Sequence, residues 1–185
     1  MADSDAALVE RVRSGDQSAM RSLVERFQGV VFGLCYRMLS QREDAEDVAQ
    51  DVFLRTFRSL GGWDPARPLK PWILTIAANR CRTFLSTRSR QAPAVEFAAD
   101  RVAAPIDPDR NELAEELQLG METLRDEYRL CVTLFYQQEL GIAEIAEVLG
   151  CAQGTVKTWL HRARHQLAEH LQNRGVLPHA HVEVQ

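Results

Sequence analysis

Several things are scarce in this chain, and each scarcity narrows the field. Its 185 residues include only four cysteines, Cys35, Cys81, Cys131 and Cys151. They are too far apart for a CxxC pair or a zinc-ligand spacing and sit in apolar surroundings, so they read as buried small hydrophobes. No apolar run approaches the roughly 20 residues that span a bilayer, and no basic segment followed by an apolar run opens the chain. Membrane insertion is therefore not expected, and a cytoplasmic protein is. With 10 Gly and 7 Pro, the frequent turn punctuation of an all-β protein is missing. The net charge of −4 argues against a protein that coats nucleic acid over its whole surface.

One further absence is local. Between Pro65 and Val95 there is no Asp or Glu, yet Arg67, Lys70, Arg80, Arg82, Arg88 and Arg90 all fall there. From Asp107 to Glu127 the balance reverses, with eight acids against Arg110 and Arg125. One chain thus carries surfaces of opposite sign, which suits a protein that grips both nucleic acid and another protein.

What is present is helical periodicity. The spacing predicts helices over residues 5–14, 17–39, 42–60 and from Lys70 onward, with Gly15-Asp16 as a break and cap, and Gly61-Gly62 as a stop before a turn-rich loop. Between 89 and 108 the period is lost among Pro93, Pro105 and Pro108, as in a flexible linker. It returns over 109–124, 126–138, 142–149 and 153–172. The expected fold is all-α: two small four-helix domains, residues 1–90 and 109–173, joined by a linker at 91–108 and followed by a loose tail at 174–185.

Three stretches carry function. In 142–164, Ala146 is small where two helices must approach, Gly150 supplies a turn, and Val156 and Leu160 hold the second helix against the first, as in a helix-turn-helix. Val156, Leu160, Ala163, Leu167 and Leu171 form the buried stripe. Thr158, His161, Arg162 and His165, with Gln153, Thr155 and Lys157 at the helix start, are left facing outward. Arg can bond guanine bidentately, Gln adenine, and Thr a phosphate or thymine methyl. His161 and His165 alone lack the partners a metal needs.

The helix from Lys70 is expected to bury Ile73, Ile76, Ala77, Cys81 and Phe84 and to present Thr75, Asn79, Arg82 and Ser86. With Arg67, Lys70, Arg88, Arg90 and the loop 61–70, this makes a surface for single-stranded or opening DNA. Of the aromatics, Trp72 and Phe84 belong with the core, while Trp63 stays with the DNA-facing set. Arg80 points toward the buried side and must either snorkel to solvent or find a carboxylate. On the third helix, Ala45, Val48, Ala49, Val52, Phe53, Phe57 and Leu60 face inward. The opposite face shows Glu43, Asp47, Gln50, Asp51 and Arg58 around Leu54, an apolar anchor in a charged rim that fits a basic partner helix.

At these residues the chain resembles the extracytoplasmic-function (ECF) sigma factors. The resemblance covers roughly 5–90 and 112–171 and is sharpest at 43–57 (EDAEDVAQDVFLRTF), 71–80 (PWILTIAANR) and 154–164 (GTVKTWLHRAR). It implies that the 44–57 helix docks on the clamp coiled coil of the RNA polymerase largest subunit. It also implies that 61–90 recognises and opens the −10 promoter element, and that the C-terminal domain reads the −35 element and touches the flap of the second subunit. Lys157, Thr158, His161 and Arg162 fall at its base- and phosphate-contacting positions. An anti-sigma protein that clamps both domains is a further partner it implies; catalysis and cofactors are not. Two positions depart from the family's pattern: Thr83 replaces the usual acid four residues after Asn79, and Trp159 replaces a common basic residue. The rival readings are a free-standing helix-turn-helix regulator binding duplex DNA as a dimer and, more remotely, a metal-dependent hydrolase built on His161 and His165.

Overall fold

The computed structural model describes residues 3–91 and 112–177, and among them there are helices and no strands. Residues 92–108 of the expected linker and all of the expected tail beyond 177 lie outside the described residues, while residue 91 ends a helix. The helices are α1 (Asp5–Arg13), α2 (Gln17–Leu39), α3 (Arg42–Ser59), α4 (Leu69–Gln91), α5 (Glu112–Thr123), α6 (Asp126–Val132), α7 (Ile142–Leu149) and α8 (Gln153–Asn173). A 3-10 turn, Leu60–Gly62, closes α3, and a π-helical turn, Thr133–Gln137, prolongs α6.

Local chemistry sets the helix starts. Ser4 caps α1 by accepting from Ala7 N–H at 3.2 Å. Asp16 caps α2 through one carboxylate oxygen, which accepts from Ser18 N–H at 2.8 Å and Ala19 N–H at 3.2 Å. Its other oxygen takes two N–H groups of Arg11, so the α1–α2 corner is closed by one residue. The Ser18 hydroxyl and Arg11 hold the Asp16 carboxyl well below the ordinary range. Glu43 and Asp44 open α3, where carboxylates oppose the helix dipole.

In the N-terminal unit α2 lies against α1, α3 and α4, and α3 against α4. Its inward row, Leu23, Phe27, Val31, Leu34 and Met38, meets Val48, Val52 and Phe53 of α3 and Ile73, Ala77 and Cys81 of α4. Each large side chain so buried contributes about 1.5–3 kcal/mol. Cys35 and Cys81 pack thiol against thiol at 3.8 Å in this core. In the C-terminal unit α8 is the hub for α5, α6 and α7. Cys131 is buried as expected, but Cys151, at the α7–α8 turn, is only half-buried.

The two units also pack on each other, α4 against α7 and α2 against α6. This changes α4. The expected stripe is present, with Ile73, Ala77 and Cys81 fully buried and Ile76 and Phe84 partly so, but Leu74 and Ala78 are buried too. A helix covered on two sides shows no single apolar face. Arg129 of α6 pins the junction: its Nη1 donates to Met38 O at the end of α2 (3.1 Å), while Nε and Nη2 donate to Met121 O, Glu122 O and Leu124 O at 2.9–3.1 Å.

Residues 174–177 are ordered onto α8, unlike the loose segment expected there. Val176 N–H donates to Leu171 O at 2.9 Å, and Arg174 forms a two-pronged pair with Glu116 of α5 at 2.8 and 3.0 Å.

Candidate nucleic-acid and polymerase interfaces

The helix-turn-helix stands on Ile145, Ala146, Val148 and Leu149 of α7 and Val156, Leu160 and Ala163 of α8, all buried. Glu144 accepts from Gly141 N–H at 2.9 Å to start α7, and Gly150 ends it with φ +65°, a left-handed turn that favours glycine. The chain then re-enters a helix at Gln153 with its outer face free. Gln153, Lys157, Thr158, His161, Arg162 and His165 are exposed, and Thr155 is half-buried in the first turn. The Arg162 guanidinium also reaches the Tyr128 hydroxyl at 3.4 Å, and Arg125 stacks 4.4 Å over the Tyr128 ring. Trp159 is half-buried against the core, so the position that is often basic in the family here adds packing instead.

The basic surface on α4 divides in two. Toward its C-terminal end, Asn79, Ser86, Arg88 and Arg90 are exposed; Arg88 pairs with Asp44 of α3 at 3.1 Å, and Arg90 donates to the Ser86 hydroxyl at 2.7 Å. Toward its N-terminal end, the C-terminal unit faces it. Lys70 donates to Gln138 O at 2.6 Å, Arg67 pairs with Glu147 of α7 at 3.3 Å, and Thr75 and Arg82 are half-buried. A cleft of about 750 Å³ lies between the loop and α7, lined by Trp63, Arg67, Trp72, Thr75, Glu144 and Glu147 among others.

Trp63 is a correction. Expected to face DNA, it is only 4% exposed, part of the buried core, with its indole Nε1–H buried and unpartnered. A large ring beside two glycines and two prolines has nowhere apolar to go but inward. In this form it anchors the loop and cannot stack on a base.

On α3, Leu54 is 54% exposed, with Asp47, Gln50 and Arg58 exposed around it. Asp51 is half-buried and engaged within the molecule by Arg55 at 3.0 Å and by Arg80 of α4. Burial alone would raise its carboxyl, but the two guanidinium groups bring it below the ordinary value. Of the two outcomes open to Arg80, the structure shows a carboxylate partner, Asp51, which is thereby tied to α4 as well as to its own helix.

Arg13, Tyr128, Arg129 and Gln138 went unread in the sequence. Each acts on a distant backbone or on another helix, and no local spacing signals that.

Residues 23–91 match the family described as Sigma-70 region 2, and residues 114–167 match Sigma-70, region 4. The ECF RNA polymerase sigma factor SigW of Bacillus subtilis (strain 168) is 32% identical over 178 residues, covering 89% of this chain and 95% of that protein. The ECF RNA polymerase sigma-E factor of Haemophilus influenzae is 31% identical over 182 residues, covering 91% and 96%. Among solved structures, the sigma factor RpoE in complex with the anti-sigma factor NepR from Bartonella quintana has the same fold: TM-score 0.71 at 22% identity, over 82% of this chain and 96% of that one. The chain belongs to the sigma-70 family, among its ECF RNA polymerase sigma factors. It is an RNA polymerase sigma factor that directs promoter-specific transcription.

Proposed function

We propose that the two units divide the promoter between them, residues 1–90 meeting the −10 element and residues 109–173 the −35 element. In this reading α8 enters the −35 major groove with Gln153, Thr155, Lys157, Thr158, His161, Arg162 and His165. The −10 surface comprises Arg67, Lys70, Thr75, Asn79, Arg82, Ser86, Arg88 and Arg90, with Trp63 as the internal anchor of the loop. Leu54, with Asp47, Gln50, Asp51 and Arg58 as its rim, docks on the clamp coiled coil of the polymerase largest subunit, and the C-terminal unit on the flap of the second.

The observation that carries this is the separation of two cation-bearing faces: an exposed groove-reading helix on one unit and an acid-free basic helix on the other. Because Gln138 and Glu147 hold Lys70 and Arg67, the reading requires the units to part before both act on DNA. An anti-sigma partner that grips both units would keep them together, and the similarly folded sigma factor RpoE is found in complex with an anti-sigma factor. The chain has no chemistry of its own in this role and works in the cytoplasm; among the described residues no helix is long and apolar enough to cross a membrane.

Transcription in vitro with core polymerase and a randomised promoter library tests it. Selective initiation from templates sharing two spaced elements is the expected result. Binding to a palindromic duplex with no response to core polymerase would overturn it in favour of a free-standing regulator.

A further inference from the structure

We propose that Arg13, on the first helix, is a positioning residue for promoter selection: it fixes the course of the loop 61–68 from outside. This rests on the reading above that the loop meets the −10 element. Arg13 lies outside the matched region 2 segment, which starts at residue 23, and sits 47 to 50 positions from the groups it holds.

Its Nη2 donates to Leu60 O at 2.8 Å, to Gly61 O at 3.1 Å and to Trp63 O at 3.3 Å. These are carbonyls at the C-terminal end of α3 and the 3-10 turn, where backbone acceptors carry partial negative charge; Leu60 O also accepts from Trp63 N–H at 3.2 Å. A guanidinium among them satisfies three acceptors with one group.

The loop needs such a pin because little inside it is stiff. Gly61 and Gly62 neither adopt a positive φ nor sit where a Cβ would meet another atom, so crowding does not require glycine at either place. Their effect is to widen the conformations open to the backbone. Further along, the Asp64 carboxylate accepts from Ala66 N–H at 2.9 Å and Asp64 O from Arg67 N–H at 3.0 Å, a self-contained turn. The buried side chains of Leu60, Trp63 and Leu69 fix where the loop enters and leaves the core. The two glycines are spanned by the single 3-10 bond from Trp63 N–H to Leu60 O, and Arg13 braces that turn from outside, which sets where Asp64 to Pro68 are offered to a partner.

A residue that merely held the fold together would affect both promoter elements alike. Arg26 supplies the comparison: it also ties α1 down, through Asp5 at 2.8 Å and Asp3 O at 2.9 Å, but does not touch the loop. The test is transcription with core polymerase by Arg13→Ala, Arg13→Lys, Arg26→Ala and Arg67→Ala. Each is scored on templates altered singly in the −10 or the −35 element, with melting temperature measured alongside.

Arg13→Ala should lose roughly five- to tenfold of its discrimination among −10 templates, the low end of what one mismatched base pair costs, and keep its −35 discrimination. Arg13→Lys, whose ammonium can still reach part of the carbonyl set, should recover some of it. Arg26→Ala should lower the melting temperature without changing −10 selectivity. Wild-type −10 selectivity in Arg13→Ala, with a loss in Arg67→Ala, overturns the proposal alone, as does an equal loss at both elements that tracks melting temperature. Unchanged selectivity in both Arg13→Ala and Arg67→Ala overturns the reading of the loop as well.

Discussion

Arg129→Met is the most demanding test of how the C-terminal unit is held. Methionine keeps most of the aliphatic stem and removes the guanidinium. That group is buried enough for desolvation to lower its pKa, and it donates to four backbone carbonyls between 2.9 and 3.1 Å. Hydrogen bonds from charged groups contribute about 1.5–3 kcal/mol each. Most of that gross sum is offset, because the variant no longer desolvates a cation and water can reach part of the carbonyl set. A net loss of about 3 kcal/mol remains, the scale of removing one partner from a buried charged set, or about 6–12 °C in melting temperature for a chain of this size. Urea unfolding followed by circular dichroism reads the first number and calorimetry the second. Because Met38 belongs to the other unit, amide exchange at the end of α2 should rise in the same variant. A loss below about 1 kcal/mol, with unchanged exchange at that helix end, would refute the idea that these carbonyls depend on Arg129.

Three further outcomes are expected. Leu54→Glu should weaken association with core polymerase at least about tenfold, the scale of one interface anchor, and leave the melting temperature unchanged, since Leu54 is more than half exposed; titration of labelled protein with core measures this. At Gly120, a Cβ would stand 3.0 Å from the His170 ring and 3.1 Å from Leu167. Gly120→Leu should therefore cost about 2 kcal/mol or more by overpacking, while in Gly120→Ala the gain in helix propensity offsets much of the crowding, as urea midpoints would show. Arg174 above all, then His170, holds the Glu116 carboxyl below its ordinary range despite some opposing desolvation. The unfolded chain takes up that proton at a higher pH than the folded one. The pair's contribution is thus present at neutral pH and lost as pH falls through and below the ordinary glutamate range, so Glu116→Gln should flatten the acid limb of the stability profile.

The helix-turn-helix was legible in the sequence because its determinants are local: Ala146, Gly150, Val156 and Leu160 lie within fifteen residues of one another, and each has one role. The α3 stripe was legible for the same reason, down to Leu54 standing out from it. The second buried face of α4, with Leu74 and Ala78, was not, because α4 packs against α7, some seventy residues further on, as well as against α2 and α3, and helical periodicity reports a helix's own faces and never its partners. The same distance hid the engagement of Lys70 by Gln138, whose carbonyl is presented at the end of the π-helical turn. Asp51 and Arg80 were half legible: the inward cation needed an acid or a path to solvent, but which of these it found, and which α3 carboxylate would supply the acid, depended on how two helices cross. Trp63 misled because a tryptophan in a polar, turn-rich loop suits stacking on a base as well as anchoring, and only the hollow beneath the loop decides between them.

The unequal burial of the four thiols has a practical consequence. Cys35 and Cys81 are sealed against each other, burial pushes the Cys131 thiol up to about 12, and Cys151 alone is partly open to solvent. A thiol-reactive dye applied to the native protein would therefore attach first beside the bend between α7 and α8. That gives a reporter at the edge of the groove-reading helix without altering a single codon.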